Sequence, residues 1–454
     1  GDLDILLAGA NSTNTSICKV YRNNLPSSLG FTEQNSFSLT GVSGGDVDWG
    51  DYDNDGDLDI LLSGLTDFSN TIYVSKVYKN NGPIGIGFTE QVNISLTPVY
   101  QSSVSWGDYD NDGDLDILLA GKTGLGNCSK VYKNNGNNIF IEQTGFSLIG
   151  VEGGSALWAD YDNDGNLDIT LTGNSNSNHI ISKVYRGLGS LNNFVEQKEI
   201  GFLGSYIGST AWADYDNDGD LDIIFMGRND LGRSIVFYRN NSFNKNNKPV
   251  APKNLKSQFI GDSIVLFSWD LASDNNTSQD GLSYNLEVGF SPSTVEVSSP
   301  QSDLITGFRR VASIGNIQRG SYYLQIDSNY HDSTYFWSVQ TIDNGFVGSD
   351  FSSQKSFKPS SIGFAKNDNN KLNIKILPNP NNGVFYIEVN IKSKKKEKYK
   401  IKIFNVVGVK VYDAQLDIDE YYLGKISLGS LSAGMYFLYL EGGNQNLVLR
   451  FAVK

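Results

Sequence analysis

The chain has 454 residues, of which 39% are hydrophobic and 12% aromatic, with a formal net charge of −14. That is too long for one ordinary domain, and the charge argues against nucleic acid or an anionic membrane surface as the main partner. No stretch reaches the ~20 apolar residues of a membrane span. Gly, Asn, Ser and Asp are abundant and long helical periodicity is missing, so the expected class is all-β with many turns.

In chain order, the sequence opens on GDLDILLAG, the tail of a phrase that is completed later. With no Met and no signal peptide ahead of it, the N-terminus reads as a cut. KVYRNN at 19 and FTEQ at 31 follow, then WGDYDNDGDLDILLSG from Trp49 to Gly64. The acidic phrase recurs at Asp51, Asp108, Asp160 and Asp214, at spacings of 57, 52 and 54 residues. KVYKNNG returns at 76 and 130, KVYR at 183, FTEQ at 88, FIEQ at 140 and FVEQ at 194. A period of this size means a solenoid, a propeller or an array of small units. Within one period, LDILLSG (58–64) reads as a strand buried on both faces. SKVYKNNG (75–82) is a second strand ending in a tight turn, FTEQ (88–91) a third, and SSVSW (102–106) a fourth that leads into the next acidic loop. Four short strands per period fit a propeller blade.

Cys18 and Cys128 are too few for a disulfide framework and fall in equivalent strands of repeats that are not neighbours, so both are expected to be free, packed thiols. His179 and His331 lie in different regions, which speaks against a histidine triad or a multi-histidine metal site.

The acidic phrase has the form D-x-D-x-D-G-x-x-D. Carboxylates at positions 1, 3 and 5 converge if the chain curls, Gly at position 6 allows the bend, position 7 offers its backbone carbonyl and position 9 a further carboxylate. An all-oxygen cage of this kind suits Ca²⁺; zinc would want Cys or His. The alternative is a solvated acidic turn with Asx hydrogen bonds. The candidate metal residues are Asp51, Asp53, Asp55, Asp57 and Asp59; Asp108, Asp110, Asp112, Asp114 and Asp116; Asp160, Asp162, Asp164, Asn166 and Asp168; and Asp214, Asp216, Asp218, Asp220 and Asp222. Position 12 falls on Leu62, Leu119, Leu171 or Phe225, where an EF-hand would need Glu. Asp2 and Asp4 are what remains of an earlier loop. Four filled sites would take the charge from −14 to about −6.

This strand-then-loop pattern, over residues 1–242, resembles the FG-GAP or VCBS-type repeats of integrin-like β-propellers. The resemblance implies about 4.5 blades of a ring that usually closes with about seven, with calcium loops that brace the rim and do not themselves hold the ligand. Trp49, Trp106, Trp158 and Trp212 precede the loops; packing between strands is the favoured reading, sugar stacking the other.

A polar segment with two prolines suggests a linker at 243–255. Alternating strands at SIVLFSWD (263–270), LSYNLEVGF (282–290) and STYFWSVQTID (333–343) resemble a fibronectin type III β-sandwich over 256–360, with Trp269 and Tyr335 in its core. The last segment, 361–454, resembles the C-terminal sorting domain of type IX secretion, also a small β-sandwich. It carries PNP-x-x-G near its start, L-x-x-G-x-Y later and a final basic strand ending at Lys454. The lysine-rich stretch from Lys392 to Lys402 reads as a solvated hairpin tip.

The expectation is therefore an all-β chain, a partial calcium-loop propeller followed by two β-sandwich domains. It is secreted or attached to the outer surface of a bacterium, and its partners are the type IX machinery and an extracellular glycan or protein. Extracellular Ca²⁺ can fill weak sites that cytosolic Ca²⁺ cannot. No catalytic residue is expected, because nearly every clustered Asp is explained by the repeat. The alternative is a polysaccharide-acting enzyme, or its binding module, with a catalytic domain upstream of residue 1.

Overall fold

The run Ile60-Leu61-Leu62 is apolar at every position because two cores draw on it at once. In the strand Asp59–Asp67, Ile60 and Leu62 enter one core with Val20, Val42 and Tyr78, while Leu61 enters the next with Val104, Trp106 and Ile117. The strand Asp116–Thr123 repeats the division: Ile117 and Leu119 face back, and Leu118 and Ala120 face forward to Val131, Trp158 and Ile169. Burying each Leu or Ile contributes about 1.5–3 kcal/mol. The cores therefore lie between successive repeats, each repeat contributing to the core on either side.

The structure is a computed structural model describing residues 3–24, 30–67, 69, 71–82, 87–191, 193–242, 244–260, 264–326, 333–358, 372–377, 384–391, 397–405, 409–418, 421–428, 434–442 and 445–453. Outside the described residues lie Gly1 and Asp2, His331, the turn residues 378–383, the lysine-rich residues 392–396, and Lys454. Among the described residues there is no α-helix; two short 3-10 turns, Gly189–Leu191 and Gln279–Gly281, interrupt a chain of strands. No helix is long and apolar enough to cross a membrane.

Each repeat is an antiparallel sheet in simple up-down order. In the first, Ser43–Gly50, Asp59–Asp67, Ile72–Asn80 and Phe88–Glu90 follow one another. The tryptophan strand ahead of each acidic loop pairs with the strand behind it: Trp49 faces Ile60, Trp106 faces Ile117, Trp158 faces Ile169 and Trp212 faces Ile223. SSVSW therefore belongs to the sheet of the loop it leads into, and each loop closes a hairpin. Val151 also pairs with Cys128, which joins the second and third repeats into one sheet. A bulge recurs in the tryptophan strands at Gly44, Gln101, Gly153 and Ile207, all at positive φ. The Gly153 N–H donates to Gln101 O at 2.7 Å, and the Ile207 N–H to Gly153 O at 2.6 Å.

Trp106, Trp158 and Trp212 are buried and stack on the loop tyrosines Tyr52, Tyr109 and Tyr161 of the preceding repeat, at 5.8, 6.2 and 6.4 Å. They pack between repeats. Cys18 and Cys128 are free and half-buried, and burial pushes both thiols up to about 11.

After the repeats, the sheets Lys253–Ile260/Ile264–Asp270/Ser321–Gln325 and Ser283–Gly289/Tyr335–Ile342/Lys355–Phe357 face each other. Phe267 of one sheet meets Trp337 of the other at 4.5 Å. Trp269 and Tyr335 are core residues, as expected, and Trp337, which the sequence reading did not single out, is fully buried beside them.

The chain divides into two compact units. One holds Gly1–Gln258, Leu266–Gln325 and Thr334–Phe357; the other holds Phe259–Val265, Ile326–Ser333 and Lys358–Lys454. Within the second unit, the sheets Leu372–Leu377/Val384–Ile391/Tyr421–Ser427 and Lys410–Ile418/Glu397–Asn405/Gly434–Gly442/Gln445–Val453 share a core of Ile387, Val389, Ile401, Ile403, Leu438 and Phe451. Lys402 reaches Glu441 on the adjoining strand at 2.8 Å.

Candidate metal centres

Each acidic loop is wound around its own carboxylates. At position 1, Asp51 accepts the N–H groups of Asp55 and Gly56 at 3.0 and 2.9 Å. Asp108, Asp160 and Asp214 do the same for positions 5 and 6 of their loops. At position 5, Asp55 Oδ1 accepts the N–H of Asp57 at 3.0 Å, and Asp112, Asp164 and Asp218 follow suit with Asp114, Asn166 and Asp220. At position 9, Asp59 accepts the N–H of Tyr52 at 3.2 Å and, from the KVYKNN strand, that of Asn80 at 2.7 Å. Asp116, Asp168 and Asp222 hold the matching pairs. The loop is thus closed by the hairpin partner and by the strand beyond it. The position-4 residues Asn54, Asn111, Asn163 and Asn217 take φ values of 57, 59, 56 and 59°, a left-handed turn that Asn tolerates better than most residues.

Position 3 is different. One oxygen of Asp53, Asp110, Asp162 and Asp216 meets a basic side chain from the KVYK strand: Lys79, Lys133, Arg186 and Arg239 respectively. The same bases reach position 5, with Lys79 at 2.8 Å from Asp55 and Arg186 at 2.6 Å from Asp164. The other oxygen, Oδ1 of Asp53, Asp110 and Asp162, is buried and accepts no hydrogen bond. The same residues converge with their neighbours: one carboxylate oxygen each of Asp51, Asp53 and Asp59 falls within 4.8 Å of the others, as for Asp108, Asp110 and Asp116 and for Asp160, Asp162 and Asp168. Asp55, Asp112 and Asp164 stand outside these trios. At positions 7, Asp114 Oδ1 accepts from Arg319 and from Asn54, and Asp220 Oδ1 from Asn163.

The electrostatics follow from the crowding. Burial, followed by neighbouring carboxylates, raises Asp59 to about 9, Asp108 to about 8 and Asp160 to about 7, and pushes Asp51, Asp116 and Asp168 well above the usual range. Burial opposes the charge on Lys79 and Lys133, but their aspartates outweigh it and keep them protonated. One or two bases do not offset the four or five carboxylates of a loop, so the loops could hold a further cation. Three converging carboxylates, two buried and the half-buried third with an orphaned oxygen, and no sulfur or nitrogen donor fit a hard oxygen-seeking ion such as Ca²⁺. The residues that would hold it in loops 1–3 are those at positions 1, 3 and 9.

The fourth loop departs from the others. Its converging trio is Asp214, Asp216 and Asp218, none of them buried. Asp218 is held below the usual range by its hydrogen bond to Arg239.

Sequence reasoning passed over two carboxylates that break the repeat. Asp46 and Asp48 stand where the other tryptophan strands carry Ser103 and Ser105, Ser155 and Leu157, or Ser209 and Ala211. Asp46 Oδ2 accepts from Ser103 Oγ and the Val104 N–H, both at 3.1 Å, and Asp48 Oδ2 accepts the Trp106 N–H at 2.9 Å. Their Oδ1 atoms accept the N–H groups of Val47 and Trp49. They latch the first repeat to the backbone of the second, and burial lifts Asp48 to about 7. The legible signal was GGDVDWG against SSVSWG. His179 is exposed, with its ring nitrogen against Ser177.

A family described as FG-GAP-like repeat matches residues 1–62 and 160–225, and one described as secretion system C-terminal sorting domain matches 375–454. No curated protein matches the chain. Solved structures with local likeness include the FN1-FN3 domains of chicken CNTN1, at 13% identity over 52% of this chain and 77% of that one, with a TM-score of 0.18. A two-domain fibronectin type III segment of chicken tenascin gives 13% identity, 45% and 99% coverage and a TM-score of 0.16. An α-L-rhamnosidase from Dictyoglumus thermophilum gives 12%, 46% and 29%, and 0.20. Overlaps this loose carry no argument about function. The chain carries FG-GAP-like repeats and a type IX sorting domain, and so is a secreted or surface-attached bacterial protein.

Proposed function

We propose that this exported, FG-GAP-repeat chain is a calcium-stapled β-propeller protein that holds an extracellular glycan or protein ligand. Residues 1–242 are read as propeller blades, 256–360 as a spacer and 361–454 as the export signal that meets the secretion machinery. The observation that carries the calcium part is the buried, unpartnered Oδ1 of Asp53, Asp110 and Asp162, each beside two more converging carboxylates. Bound Ca²⁺ supplies the missing positive charge; the residues at positions 1 and 9 orient the loop, and the bound base leaves one position-3 oxygen turned inward. The binding part rests on architecture: repeats that share cores present rigid loops, which is where ligand sites on such scaffolds lie.

Thermal unfolding of the full chain in millimolar Ca²⁺ and then in chelator tests the first part, and a glycan and matrix-protein array probed in Ca²⁺ tests the second. Equal melting in both buffers would return the aspartates to solvated turns. A blank array in saturating Ca²⁺ would leave a scaffold with no ligand.

The enzymatic reading would need carboxylates outside the repeat, and Asp46 and Asp48 are the ones available. All four of their oxygens already accept hydrogen bonds from the protein, so we assign them a latch and no chemistry.

A further inference from the structure

We propose that the acidic loops bind their ions as one coupled row, and that the asparagine at position 4 of each loop is the positioning residue that couples it to the next. This rests on the reading of the loops as calcium sites.

The amide of Asn54 leaves its own loop. Its Nδ2 donates to Gly113 O at 3.2 Å and to Asp114 Oδ1 at 2.8 Å, positions 6 and 7 of the second loop. Asn111 repeats this on the third loop, with Gly165 O at 3.3 Å and Asn166 Oδ1 at 3.4 Å. Asn163 repeats it on the fourth, with Asp220 Oδ1 at 2.8 Å. Three successive links run in one direction along the row, each between the same two positions.

The acceptors are well placed to report the state of the loop they belong to. In the second loop Asp112 holds the N–H of the Gly113–Asp114 peptide whose carbonyl Asn54 grips, and Asp108 holds the N–H of the peptide just before it, so Asn54 grips a turn that two of the loop's own carboxylates fix. Any change in how those carboxylates are engaged moves the groups that Asn54 holds. The left-handed φ at position 4 turns the side chain out of its loop and toward the next. The links also account for Asn at position 4 of the first three loops, although it is no expected ligand, and for Asp or Asn at position 7 of the last three, although only its carbonyl was expected to matter.

The following domain fastens the same links. Asn344, almost fully buried, donates from Nδ2 to Asn111 Oδ1 at 2.9 Å and to Gly165 O at 3.0 Å, bridging the second and third loops. Asn276 donates to Asn163 O, and Arg319 reaches Asp114 Oδ1 at 2.6 Å. Asn163 is itself 2% exposed. A link held rigidly at both ends transmits displacement instead of absorbing it, and coupling between sites is reciprocal: filling one loop raises the affinity of its neighbours by the factor that filling them raises its own.

The test is calorimetric titration of the metal-stripped full chain with CaCl₂, on wild type and Asn111→Gly. Glycine keeps the positive φ and removes only the amide. The proposal expects a wild-type isotherm that independent sites cannot fit, and a variant that still binds the same number of ions but with the coupling between the second and third loops reduced several-fold. Asn54→Gly, whose two amide bonds both run between loops, serves if Asn111→Gly fails to fold. Independent binding in wild type, or identical wild-type and variant isotherms, would overturn the coupling and leave the calcium reading standing. No heat and no melting shift with CaCl₂ would overturn the calcium reading and the coupling with it.

Discussion

The second and fourth loops spell the same nine residues, DYDNDGDLD, yet they are different sites. In the second, Tyr109 is buried and stacks on Trp158 of the next repeat, Asp108 and Asp116 are buried, and both are pushed far above the usual carboxylate range. In the fourth, Tyr215 is 57% exposed, the converging carboxylates are partly solvated, and Arg239 draws Asp218 below that range. The backbone hydrogen bonds that close the two loops are the same. The comparison teaches that the nine residues specify the curl, while the neighbouring repeat supplies the burial that raises its carboxylates. In this chain the fourth repeat is followed by the segment from Asn240, whose amide reaches Tyr161 O and Leu221 O, and not by another tryptophan strand.

That contrast can be broken in several ways. Removing calcium should have the largest effect, because each site held at a hundredfold over Kd adds about 2.7 kcal/mol. The repeat transition is expected to fall by roughly ten degrees or more in chelator, and deleting the fourth site by Asp216→Asn should change that fall least. Next, Tyr109→Ala should cost about 3–4 kcal/mol in urea unfolding, since it empties the space against Trp158, whereas Tyr215→Ala should stay within about 0.5 kcal/mol. Equal costs would mean that the neighbouring repeat contributes little. Third, Asp110→Asn should lower calcium affinity at its loop about tenfold or more, and Asp216→Asn by a few-fold, because a desolvated charge counts for more than a solvated one. Competition with a chelating dye would read both.

The smallest effect concerns the latch between the first two repeats. Burial raises Asp48 to about 7 in the folded chain, with Asp46 beside it raising it further. A raised carboxyl favours the folded state while protonated, so stability should decline as pH rises from about 4 through 7 and then level off. Asp48→Asn removes the ionisation and keeps only one of the two acceptor oxygens, with its amide NH₂ facing the N–H the other held, so its effect is read in the slope: it should flatten that decline. Tryptophan-fluorescence melts from pH 5 to 8 would show it; a variant whose stability falls with pH as steeply as wild type would mean that Asp48 is not the group behind the decline.

Much of this was legible in the residues. The period, the all-β class and the closing turn of each loop follow from Gly at position 6 and from alternation in the strands. The KVYK column was visible too, but its terminal Lys or Arg gave no sign of reaching positions 3 and 5, because that contact exists only once the hairpin pairs. Asp46 and Asp48 stood out from the repeat, yet their targets are N–H groups some 58 residues away, which a linear reading does not connect.

The sequence by itself determined the local events: where the chain curls, which strands are apolar on both sides, and that each loop crowds its carboxylates together. These depend on residues a few positions apart, whose geometry the backbone dictates. Only the tertiary structure decided which oxygens stay unpartnered, which loops are dry, and that Asn54, Asn111 and Asn163 speak to the next loop instead of their own. Burial and long-range hydrogen bonds are properties of what packs alongside, and three identical nine-residue phrases became unlike sites because their neighbours differ.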